Sequence, residues 1–161
     1  MIKNIVIIGI VILFMAGIIW IARPKPQSES AGLPPETLVI EKESFDFGEI
    51  SMAAGNVSHA FKIKNSGSEP ITVKKLYTSC MCTTASLMFG SKKFGPYGMA
   101  GHGFIPEINK TIDPGEEAAI EAVFDPAAHG PAGVGLIERA ITIENSAGGP
   151  VQLNFSAFVK P

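Results

Sequence analysis

The 161-residue sequence predicts an all-β fold, an antiparallel sandwich, preceded by a single transmembrane helix. Three observations carry that reading. From about Glu36 onward, apolar residues alternate with polar ones in short runs, the period of half-buried strands. Clusters such as Asn65-Ser66-Gly67-Ser68 and Asp113-Pro114-Gly115-Glu116 separate the runs with residues that accept turn geometry. The one long apolar stretch lies at the N-terminus, and no amphipathic helical pattern follows it.

Ile5 to Ala22 comes first: 18 consecutive residues without a charge, long enough to cross a bilayer as a helix. Trp20 suits the interfacial belt, and Arg23 and Lys25 suit the headgroups. No Ala-x-Ala-like cleavage site precedes Arg23, so residues 1–22 are expected to stay as a membrane anchor rather than leave as a signal peptide. Flanking charge does not orient the span, since Lys3 and the terminal amine match Arg23 and Lys25. Residues 23–35 hold four prolines among Ser, Gln and Glu and read as a stiff linker, which leaves 36–161 for the folded domain.

Within that domain, strands are expected at Thr37 to Glu41, Ser44 to Ile50 and Val57 to Lys64. The third puts Val57, His59, Phe61 and Ile63 on one face, where His59 reads as a packed histidine rather than a ligand. The next strand, from about Ile71 to Tyr77, delivers the chain to the cysteines. Leu87 to Lys110 shows no clear strand pattern, yet it carries five glycines, Met88, Met99 and His102. A compact domain seldom keeps so long an irregular segment without a use for it. Ala118, Ile120, Ala122 and Phe124 restart the alternation, and Leu136 to Glu144 and Val151 to Val159 continue it. The inward rows place Phe61, Ile63, Ile120, Phe124, Ile141, Leu153 and Phe155 in the core. Seven to eight short strands over about 125 residues describe an immunoglobulin-like sandwich, with an open-edged barrel as the alternative.

Composition narrows the function classes. With 46% hydrophobic and 17% charged residues, the chain is too apolar to be disordered and has room for one core. A net charge of −2, with lysines dispersed, argues against nucleic acid as a partner.

Phe45-Asp46-Phe47-Gly48-Glu49-Ile50, Phe61-Lys62-Ile63-Lys64-Asn65-Ser66-Gly67, Pro70-Ile71-Thr72-Val73, Ser79-Cys80-Met81-Cys82-Thr83, Ile112-Asp113-Pro114-Gly115-Glu116 and Val123-Phe124-Asp125 follow one another in order. Together they resemble the pattern of a bacterial domain-of-unknown-function family, number 1573 in that series, over about Leu38 to Phe158. The resemblance implies an immunoglobulin-type sandwich and a membrane-tethered setting outside the cytoplasm, and it supplies no activity. Two departures stand out. Met81 occupies the middle of the Cys-x-Cys motif, where the family usually has Gly, and the segment from Phe94 to Phe104 is longer than the usual link.

The chemistry concentrates at the two cysteines. In an extended strand Cys80 and Cys82 would point to one side, with Cα atoms about 6.6 Å apart, near the upper limit for bridging. A turn at Met81 would remove that obstacle. Two thiolates from Cys80 and Cys82, a thioether from Met99 and imidazoles from His102 and His129 form a donor set suited to copper, above all soft Cu(I). The loops carrying these residues are expected to gather at one end of a sandwich. Zinc is a weaker fit, because Cys-x-Cys is tighter than the usual spacing of structural zinc sites. The rival is a Cys80–Cys82 disulfide in a module that recognises another envelope protein. No protease, transferase or phosphate-loop signature surrounds these residues, so no enzymatic activity is expected. The expected location is the inner cell membrane, single-pass, with the domain outside the cytoplasm.

Overall fold

A computed structural model describes residues 37–161. The expected anchor (1–22) and linker (23–35) lie outside the described residues, apart from which no helix is long and apolar enough to cross a membrane. The described residues form ten strands: β1 (Leu38–Ile40), β2 (Ser44–Ser51), β3 (Val57–Asn65), β4 (Ile71–Thr78), β5 (Thr83–Phe89), β6 (Lys92–Tyr97), β7 (Lys110–Ile112), β8 (Glu117–Phe124), β9 (Gly135–Asn145) and β10 (Val151–Lys160). They make two five-stranded sheets, β1-β3-β8-β5-β6 and β2-β10-β9-β4-β7.

The alternation seen in the sequence is what builds the interior. Phe61 and Ile63 of β3 and Ile120 and Phe124 of β8 face Ile141 and Ile143 of β9 and Leu153 and Phe155 of β10, all of them buried. Phe124 and Phe155 meet across the two sheets, with ring centroids 5.5 Å apart. Apolar area removed from water in this way is the main favourable contribution to folding.

Three expectations are corrected. The strands number ten among the described residues rather than seven to eight. The architecture is not wholly antiparallel, because β10 pairs with β2 in parallel and with β9 antiparallel. The segment from Leu87 to Lys110 is also not irregular throughout: β5 runs on to Phe89, and β6 and β7 fall within or at the end of it. β5 lies between β8 and β6 and buries Thr83, Ala85, Ser86 and Leu87, so its polar and small residues hide a strand with no apolar alternation. β6 is an edge strand, the position in a sheet that can take Pro96 because one side of its backbone needs no ladder donor.

Asn65 ties the far ends of several strands together. Its side chain donates to the carbonyls of Glu69 (2.8 Å) and Ile112 (2.9 Å) and accepts from Gly67 N–H (3.0 Å). Its backbone pairs with Gly115 and Glu116 of the Pro-Gly turn. A Cβ at Gly67 would lie 2.8 Å from Thr37 Cγ2, so a side chain there would have to push Thr37 aside.

Candidate metal and redox centre

Ser79 to Cys82 form the turn that takes the chain from β4 in one sheet to β5 in the other. The cysteines are therefore not in an extended strand. Thr83 N–H donates to Cys80 C=O at 3.2 Å, closing the turn around Met81, and the two Cα atoms are 5.3 Å apart. That separation lies in the bridging range, and Cys80 and Cys82 are joined as a disulfide.

Buried Thr78 organises the turn from below. Its hydroxyl lies 3.0 Å from the carbonyl oxygens of both Cys80 and Thr83, so it can donate to either. Ser79 fixes the other side: its N–H donates to Ala140 C=O and its Oγ accepts from Ala140 N–H, both at 2.9 Å. The Cys-x-Cys turn is thus locked to β9.

The second loop of the site follows β8. Asp125 N–H donates to Cys82 C=O at 2.9 Å, and Asp125 Oδ1 accepts from Ala127 N–H at 2.9 Å. Gly130, at φ +55°, then turns the chain in a left-handed conformation that a side chain would disfavour. This path brings His129 Nε2 to 3.1 Å from Cys80 Sγ. Cys80, Cys82 and His129 each offer a donor atom within 4.8 Å of the others. Cys80 is half-buried and His129 exposed, while Cys82 is only 3% exposed.

The other predicted ligands lie differently. Met99 is half-buried and its backbone bridges Thr78, two residues before Cys80. His102 is exposed, donates its backbone N–H to Met99 C=O at 3.4 Å, and does not join the Cys80, Cys82 and His129 group.

Arg139 is a member of the site that sequence reasoning did not single out. Its Nε–H donates to Cys82 Sγ at 3.2 Å, and Nη1 donates to Glu138 C=O at 2.8 Å. The signal was present in β9: Ile137, Arg139, Ile141 and Ile143 share one parity, and the other three are buried. A cation in an inward row needs a partner there.

Residues 38–95 match the family described as a protein of unknown function, DUF1573. The matched region includes the Cys-x-Cys turn, whereas His129 and Arg139 lie beyond it. Among solved structures, the chain is similar to a protein of unknown function from Porphyromonas gingivalis W83, at 18% identity and a TM-score of 0.56. That match covers 81% of this chain and 51% of the other, so the chain spans about half of its length. The Vibrio cholerae VesB protease is similar at 17% identity and a TM-score of 0.50, over 78% of this chain and 32% of the protease. Both likenesses speak to fold alone. No curated protein matches the chain.

Proposed function

We propose that this DUF1573 chain is a membrane-tethered, immunoglobulin-like module outside the cytoplasm that binds Cu(I) through Cys80, Cys82 and His129 when its cysteines are reduced. The observation that carries this reading is the convergence of two sulfurs and one imidazole within 4.8 Å. Thiolates and imidazole form a soft donor set that suits Cu(I). Arg139 adds a charge argument. Two thiolates with a monovalent ion leave one negative charge, which the neighbouring guanidinium offsets, whereas a divalent ion would leave that guanidinium beside a neutral centre. Met99, close by in the chain path, is a reserve thioether, and His102 has less claim. Residues 1–22 serve as the single-pass anchor in the inner membrane, residues 23–35 as the spacer and residues 36–161 as the domain, acting as a binding module rather than an enzyme.

The test is a competition titration of the reduced full chain, in detergent, against a chromophoric Cu(I) chelator. One Cu(I) per chain is expected, bound more tightly than Zn(II), with proton release and weaker binding at lower pH because both thiols must ionise. Cys80→Ser or Cys82→Ser should abolish binding, and His129→Ala should weaken it about tenfold or more. Unchanged affinity in all three variants would end the proposal.

The joined sulfurs favour a second reading, a disulfide-closed interaction module for another envelope protein. Thiol titration after aerobic purification separates the two. Absence of copper uptake even after full reduction supports the interaction module.

A further inference from the structure

The Cys80–Cys82 pair is asymmetric in a way that a structural cross-link does not require. Cys80 is half-buried next to exposed Met81 and exposed His129, so one sulfur can be approached from solvent. Cys82 is buried, and its sulfur receives the Arg139 Nε–H at 3.2 Å. Among the described residues, Arg139 forms no ion pair with a carboxylate, so its charge is directed at the sulfur.

We propose that the Cys80–Cys82 disulfide accepts two electrons from a dithiol of a partner protein, with Cys80 as the sulfur attacked and Cys82 as the sulfur released. A partner thiolate reaches Cys80 Sγ, forming a partner–Cys80 bond as the Cys80–Cys82 bond breaks. The bonding electron pair leaves on Cys82 Sγ, where the guanidinium stabilises it. Attack on the other sulfur would expel Cys80 instead and would require entry into the buried side. The partner's second thiolate then attacks the partner sulfur of the mixed disulfide. A partner disulfide forms, and Cys80 leaves beside His129 Nε2, 3.1 Å away. The partner loses two electrons and two protons, and the domain gains the electrons and, from solvent, the protons of its two thiols. Accessibility of the attacked sulfur and stabilisation of the leaving sulfur are the two factors that direct such exchange. Arg139 is a positioning residue here, acting through Cys82 without touching the partner. This activity shares the cysteines with the copper proposal but needs no metal: the oxidised form exchanges, and its product is the form that would bind Cu(I).

The experiment uses the oxidised full chain in detergent with a metal chelator and reduced glutathione as the probe thiol. Intermediates are blocked with iodoacetamide and located by peptide mass spectrometry. Glutathione is expected on Cys80 and the alkyl group on Cys82. Arg139→Leu should slow cleavage about tenfold or more, since it removes a charge-assisted hydrogen bond to the leaving sulfur. Arg139→Lys, which keeps a cation on a long stem, should retain much of the rate. Glutathione found on Cys82, no cleavage at all, or Arg139→Leu cleaved as fast as wild type with an unchanged circular dichroism spectrum would overturn the proposal. If Arg139→Leu does not fold, the position of the label on the wild type decides. Cu(I) titration of the same reduced preparation is read separately, so either proposal can fail while the other stands.

Discussion

His59 stacks on Phe45 with ring centroids 3.6 Å apart and meets Phe61 edge-on at 4.7 Å. Burial among these rings holds its pKa below the ordinary 6.5, and nearby Lys42 adds to the shift by repelling the imidazolium. The folded state therefore prefers neutral His59, and the unfolded state binds the proton more readily. Stability from this residue is present above the ordinary value and is lost as pH falls through it toward the folded pKa. His59→Phe keeps the aromatic stack and removes the titration. Urea midpoints at about pH 7.5 and about pH 5 should differ less in this variant than in wild type. Parallel pH dependence in the two proteins would show that other groups control acid sensitivity. At this scale the sequence revealed His59 as a packed residue by its parity, and Cys80 and Cys82 by their spacing. Arg139 was harder to see, because a cation inside an apolar row identifies a need for a partner without saying which atom meets it.

At the scale of elements, the turns carry as much information as the strands. Asn65 ends β3 and closes the following turn through its side chain, and Asn145 ends β9 in a similar way, accepting from Ala147 N–H at 2.8 Å and donating to Gly149 C=O at 3.3 Å. Both are buried polar groups with their bonds made, which is why a polar residue can occupy the last inward position of each strand. Asn65→Ala should cost about 1–3 kcal/mol by leaving the Ile112 and Glu69 carbonyls without this donor. Chemical denaturation reads the loss, and a change below about 0.5 kcal/mol would mean that water replaces the amide without penalty. Strands β3, β8, β9 and β10 were legible because each has one buried face. β5, β6 and β7 were not: β5 buries Thr83 and then Ala85, Ser86 and Leu87 in succession, β6 contains Gly95 and Pro96, and β7 is three residues long. The turn at Met81 stays an open alternative in the sequence for a related reason, since its geometry depends on Thr78 and Ser79 bonds to residues on either side rather than on any periodic pattern.

For the whole molecule, Phe155 is the residue on which both sheets converge, meeting Phe47 at 5.4 Å in its own sheet and Phe124 at 5.5 Å in the other. Phe155→Ala should destabilise the domain by about 3–5 kcal/mol, a large share of what a domain of this size possesses. A loss under about 1 kcal/mol in a denaturant titration would mean that the interior recloses around the deletion. The parallel pairing of β2 with β10 has a consequence in time as well as in space. Asp46 and Ser156 bond across 110 positions, so an early strand can find its neighbour only after the last of the ten has left the ribosome. Contacts between such distant parts of a chain are slow to form, and β2 must wait with its edge unsatisfied until then. Completion of the sandwich therefore waits for β10, and the chain with β2 still unpaired is the form of this protein most exposed to mispairing and to chaperone capture.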